Sequence, residues 1–195
     1  MKIAMKRFSI LSFLVLVSMN LWANPYEGFH WTFIDGKSTK VKYSTVVLET
    51  DTRRLIPVAK ALHKAAVDIY SGEPSQTQEE SYLAAFPKKF KVFLDVLHPK
   101  GLDQLYDGHI YIHILSKLSE KYPERVGEIF LSLSSEACLD ADAPNHLRHE
   151  LELFHKNHSR IYDDLYSKLS KKEKANLHLF LNASLHDMGA GTCRY

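Results

Sequence analysis

The chain has 195 residues, of which 45% are hydrophobic and 25% charged, a composition that excludes a low-complexity or disordered chain and fits one ordinary globular domain. Its formal net charge is only +2, which gives no electrostatic reason to expect nucleic acid as a partner, since such binding runs on an excess of Lys and Arg neutralising phosphates. The clusters Lys88-Lys89-Lys91 and Lys168-Lys171-Lys172-Lys174 read as solvated helix faces.

Residues 1–23 carry the pattern of a cleaved signal peptide. Lys2, Lys6 and Arg7 are basic, Phe8 to Val17 is apolar apart from Ser9 and Ser12, and Ala23 ends Leu21-Trp22-Ala23 ahead of Asn24 and Pro25. The apolar run is shorter than the roughly 20 residues that span a bilayer, so no membrane span is expected once the leader is removed. No cysteine stands near residue 23 to accept a lipid. Loss of three basic and no acidic residues takes the net charge to about −1. The short, Lys-led leader suggests a bacterial protein, periplasmic or secreted.

From Asn24 to about Thr50, Pro25, Gly28 and Gly36 oppose a helix, and Asp35-Gly36 is a turn dipeptide between two strand-like runs, so an extended arm or short hairpin is expected over 24–50. Helical spacing then begins. Leu55, Ala59, Leu62, Ala66 and Ile69 form a stripe behind Asp51 or Thr52 as N-cap, ending near Ser71-Gly72. Thr77-Gln78-Glu79-Glu80 has the spacing of a capping box for a second helix, with Leu83, Phe86, Phe90 and Leu97 on its apolar face and Pro87 forcing a kink or restart. A unit over about 102–122 follows, with Tyr111, Leu115 and Leu118 inward, and Pro123 suits the first turn of the next, which buries Val126, Ile129, Phe130 and Leu133. Asp142 is placed to cap a helix carrying Leu147, Leu151 and Phe154, which Asn157 to Ser159 bends or divides. Ser170-Lys171-Lys172-Glu173 has the capping-box spacing for a last helix with Leu177, Leu181 and Leu185 inward.

The expected fold is therefore all-α: six to seven amphipathic helices in a compact bundle or a short solenoid-like stack, behind a non-helical N-terminal arm, in one domain over 24–195. Pro123 and Pro144, both near helix starts, are the hint of stacked hairpins. The two cysteines, Cys138 and Cys193, are expected to pair in an oxidising compartment. Closing a loop of about 55 residues would contribute roughly 3 to 5 kcal/mol and tie down the glycine-rich tail.

No complete catalytic constellation is present. A Gly-x-Ser-x-Gly elbow and a phosphate-cradling glycine loop are both lacking, and the reading is more of a binding protein than of an enzyme, with no cofactor expected beyond a divalent metal. Eleven histidines are many for this length. The metal-ligand candidates are His149, Glu152 and His155 on the helix that also carries His146, Glu150 and His158, since spacings of three and four share a face. His149-Glu150 fails the metalloprotease pattern because Leu153 stands where a second histidine is required, and a solvated polar face is the simpler reading. His158 falls on the apolar stripe between Phe154 and Ile161, where a histidine usually packs as a core residue.

The second set of candidates is a binding set: Asp107, His109, His113, Asp140 and Asp142. His109 and His113 are one turn apart, and the two later aspartates would complete a cation or substrate site if the fold brought them to that edge. Asp107 is equally a helix cap. Tyr26, Phe29, Trp31 and Phe33 near the mature N-terminus would either form an exposed sticky arm or cover the core.

An exported small helical domain with a disulfide and no catalytic set is similar in build to bacterial envelope immunity or inhibitor proteins that block a toxic hydrolase. That resemblance implies a non-catalytic binding or inhibitory role against another envelope protein. The alternatives are a metal-binding protein or metal-dependent enzyme working through the His and Glu helix, and a structural envelope protein.

Overall fold

The computed structural model describes residues 24–97, 105, 107–137 and 142–183. The signal segment, Cys138, Asp140 and Cys193 lie outside them, and no disulfide is found among the described residues. None of the described helices is long and apolar enough to cross a membrane.

The arm is a two-stranded antiparallel hairpin, β1 (Phe29–Ile34) and β2 (Lys37–Lys42). Asp35 and Gly36 both take positive φ, 51° and 73°, as the tight turn between right-twisted strands requires, and Gly36 meets that demand without strain. The non-helical segment is shorter than expected. Tyr43 to Glu49 forms helix α1, whose Val47 is fully buried against the next helix. Ser44 to Val47 is rich in β-branched residues that favour strand, and burial of one face overrides that preference.

Helix α2 (Pro57–Tyr70) starts on its proline, which cannot donate an amide hydrogen bond and therefore suits a first turn. Its N-cap is Ile56, with no side-chain cap, while Asp51 is engaged by Arg53 instead. In α3 (Gln76–Ala85) the capping box belongs to Ser75 and Gln78, two residues before the expected Thr77. The expected kink is a break: Phe86 stands before Pro87, whose ring crowds a helical predecessor, and Phe86 takes extended angles, φ −67° and ψ 133°. Helix α4 (Phe90–Leu97) begins afresh beyond it. Then come α5 (Gly108–Leu118), α6 (Pro123–Glu136), α7 (Asp142–Asn157), α8 (Ser159–Lys168) and α9 (Lys171–Asn182), the last opened by the expected Ser170 and Glu173 capping box. The described residues thus hold nine helices against the six to seven expected, because the β-branched stretch of α1 reads as extended chain in sequence and the run around Pro87 splits in two.

The helices make a bundle around α6, which packs against α4, α5, α7, α8 and α9, whereas a solenoid would confine each helix to its neighbours in the stack. Tyr82, Phe86, Phe93, Tyr111 and Phe130 are among the fully buried side chains, all in one continuous core. Two polar groups enter this core with partners. His63 Nδ1 lies 3.1 Å from the Tyr111 hydroxyl, and the Glu79 carboxylate accepts from the Tyr26 and Tyr122 hydroxyls at 2.7 and 2.8 Å and from Lys121. Burial pushes the Glu79 carboxyl up, but the hydrogen bonds from Lys121, Tyr26 and Tyr122 outweigh it and hold it below its ordinary range. This carboxylate therefore fastens the start of the hairpin segment and the turn between α5 and α6 to α3.

Candidate functional site

Side chains alternate across a strand, so the hairpin has two faces. The register pairs Phe29 with Lys42, Trp31 with Lys40 and Phe33 with Ser38 on one face, and His30 with Val41 and Thr32 with Thr39 on the other. The first face points to water: Phe29, Trp31 and Phe33 are 47%, 63% and 79% exposed. Lys40 sets its ammonium 3.9 Å from the centre of the Phe29 ring, a cation–π contact that adds positive charge to the aromatic row. Tyr26, the fourth aromatic of this segment, covers the core instead.

The second face meets the start of α5. His30 Nε2 lies 3.4 Å from the Asp107 carboxylate, and its Nδ1 lies 3.3 Å from His109 Nε2, with the two rings stacked at a centroid distance of 5.2 Å. His146 of α7 stands 5.2 Å from His109 on a tilted plane. Tyr43, at the root of the hairpin, presents its ring edgewise to both His109 and His113, at 5.8 and 5.4 Å. One turn further along, Ser116 donates to Glu150 of α7. Three elements, β1, α5 and α7, thus deliver three imidazoles in a row, a fourth beside them, and two carboxylates, and α1 adds the Tyr43 ring.

Local geometry follows from this convergence. Asp107 does not cap α5 with its side chain; it takes the left-handed conformation, φ 58° and ψ 43°, and its carboxylate goes to His30. Aspartate is one of the few residues other than glycine that occupies this region readily. Burial pushes the Asp107 carboxyl up, against the pull of His30. Burial, reinforced by His146, His30 and His113, pushes His109 down to about 4, so at neutral pH it is an uncharged imidazole with a lone pair to offer. Burial also pushes His113 down, with Glu150 opposing, and its Nε2 is buried with no hydrogen-bond partner among the described residues. The Tyr43 hydroxyl is pushed up by burial and by Glu150, which keeps it protonated.

Of the binding candidates, Asp107, His109 and His113 come together here. Asp142 is the first residue of α7, and Asp140 falls outside the described residues. The carboxylates that approach are those of Asp107 itself and Glu150, and the additional imidazoles are those of His30 and His146. The metal candidates do not join them: His149, Glu152 and His155 are exposed, and His155 stacks on Tyr162 at 3.9 Å. Among the described residues, the group of three whose ligand atoms all lie within 4.8 Å of one another is His30, Asp107 and His109. Spacing does not reveal His30, because a single histidine in a strand has no periodic companion. The signal that could have found it was its place on the strand face opposite the three aromatics. His158 packs much as expected, half-buried and 5.0 Å from the Phe154 ring, although it stands in the break between α7 and α8. Comparison with protein-family models, with curated proteins and with solved structures finds no match to this chain.

Proposed function

We propose that the protein is exported and acts as a non-catalytic binding or inhibitory protein of the cell envelope, with the outward face of the β1–β2 hairpin as its recognition surface. The observation that supports this reading is the row Phe29, Trp31 and Phe33, three exposed aromatic side chains at alternate positions of one strand. Scattered exposed apolar residues are ordinary on a monomer, but a contiguous aromatic row is the composition from which protein interfaces draw their strongest contacts. Lys40 and Lys42 share that face, so the partner is a protein that offers an apolar groove with an acidic rim.

The test is a photo-crosslinking residue introduced at Ser38, beside Phe33 on the same face, in cells expressing residues 1–195. A crosslink to one envelope protein, abolished by the pair Trp31→Ser and Phe33→Ser and retained with the exposed Leu153→Ser, is the expected result. No crosslink, or one indifferent to the aromatic pair, removes the reading. In the same cells, mass spectrometry is expected to find the periplasmic chain beginning at Asn24. Recovery of the chain in the cytosol alone would remove the export proposal.

A further inference from the structure

We propose that His30, Asp107 and His109 bind a divalent transition cation of the zinc type, and that the ion fastens the hairpin to the helical body. The inward face of the hairpin carries this site, so it stands independently of recognition by the outward face.

The chemistry of the donors selects the cation. Two imidazole nitrogens and one carboxylate oxygen form a borderline ligand set that suits zinc, copper or nickel, whereas calcium and magnesium demand shells of oxygen. One such atom from each residue already lies within 4.8 Å of the other two. In a tetrahedral zinc site with bonds of about 2.0–2.1 Å, ligand atoms sit about 3.3 Å apart. His30 Nδ1 and His109 Nε2 are at that separation, 3.3 Å, while the Asp107 carboxylate lies 3.4 Å from the other His30 nitrogen, Nε2, so the carboxylate or the His30 ring must turn to bring all three donors to one centre. All three residues are partly buried, which leaves a route for the ion while shielding the site from bulk water. His146 is the next imidazole in reach, at 5.2 Å from His109 between ring centroids, and is the natural fourth ligand; without it a water would take that position.

The placement of the ligands gives the ion a mechanical consequence. His30 belongs to β1, while Asp107 and His109 belong to the start of α5. An isolated two-stranded hairpin is marginal in water, so it depends on docking for its order. Without an ion, the attachment at this point is one hydrogen bond between two ring nitrogens and one imidazole–carboxylate contact. Coordination would replace these with bonds to a common centre and would suppress local opening of the hairpin.

The experiment is a calorimetric titration of the full chain with Zn2+ in chelator-stripped buffer, repeated with Ca2+. Wild-type protein is expected to bind one Zn2+ saturably and to show no Ca2+ binding. His30→Ala and His109→Ala are each expected to weaken Zn2+ binding by at least about tenfold, whereas the double variant His149→Ala with His155→Ala leaves it unchanged. His30→Gln and Asp107→Asn repeat the test with smaller changes of volume, and far-UV circular dichroism confirms that each variant is folded. Amide exchange supplies a second readout: Zn2+ slows exchange over residues 29–42 in the wild type and not in His30→Gln. Absence of saturable Zn2+ binding overturns the proposal. So does binding indifferent to His30 and His109, binding lost only in the His149 and His155 variant, or Ca2+ bound as well as Zn2+. The Trp31→Ser and Phe33→Ser pair is expected to retain Zn2+, which separates the failure of this site from the failure of the recognition surface.

Discussion

The helical body and the hairpin place their aromatic residues in opposite ways. In the body, Tyr82, Phe86, Phe93, Tyr111 and Phe130 are withdrawn completely from water, and the buried polar atoms of Glu79 and His63 have partners. On the hairpin, Phe29, Trp31 and Phe33 face water, while the polar His30 turns inward. Burial is what holds the body together, so its aromatics are committed to stability. The hairpin contributes little to the core and is free to present its aromatics to something else. Stability and recognition are thus carried by different residues, and substitutions should separate them.

The sharpest separation is expected at Phe130, fully buried on α6 and set edgewise to Phe154 at 5.9 Å. Phe130→Ala should cost about 3–5 kcal/mol of unfolding free energy in urea titration, because the cavity adds to the lost transfer energy. A cost below about 1 kcal/mol would mean that α6 is not the centre of the bundle.

Glu79→Gln comes next, at about 1–3 kcal/mol, since three hydrogen bonds to a charged acceptor become bonds to a neutral amide with the wrong donors. It carries a pH signature. The Glu79 carboxyl is held below its ordinary value of 4.5, so the unfolded state takes up its proton first as pH falls. Its contribution is therefore complete above that value and is lost as pH drops through and below it. Wild-type stability should fall over that acid range more steeply than that of Glu79→Gln. Parallel acid profiles would show that this carboxylate does not fasten the hairpin segment to α3.

Gly127→Ala on α6 tests the packing from the other side. An added Cβ would stand 2.7 Å from both Leu165 Cδ1 and Phe154 Cζ, and a loss of about 1–3 kcal/mol is expected from overpacking, read by the same titration. At the small end, Trp31→Ser should change stability by no more than about 0.5 kcal/mol while removing the crosslink described above. A large loss of stability at Trp31 would erase the distinction between the two regions.

Much of the body was legible along the chain. The stripes of α2 and α6, the break at Asn157 to Ser159 and the Ser170–Glu173 capping box all follow local rules, because periodicity and caps depend on residues within one or two turns, whereas of the stripe expected on α9 Leu177 is buried, Leu181 is partly buried and Leu185 lies outside the described residues. The Asp35-Gly36 turn was legible for the same reason. Helix α1 was not, since its Val-rich stretch reads as strand until burial of Val47 is known. Nor did local spacing separate the true cap of α3, Ser75, from Thr77, as both are followed three residues later by a suitable Gln or Glu.

The candidate site divides along the same line. His109 and His113 were visible as a pair one turn apart, and the clustering of His149, Glu152 and His155 was visible too, but spacing could not tell the pair that meets partners from the set that faces water. Those outcomes depend on contacts across long stretches of chain: His30 reaches His109 over 79 residues, and Ser116 reaches Glu150 over 34. The sequence by itself determined the apolar faces of α2 and α6, the capping box that opens α9 and the turn at Asp35-Gly36, because each is decided within a few residues. Only the tertiary structure decided which imidazoles share a site and which aromatics are left in water, because both depend on how the register of one hairpin sets its two faces against the helical body.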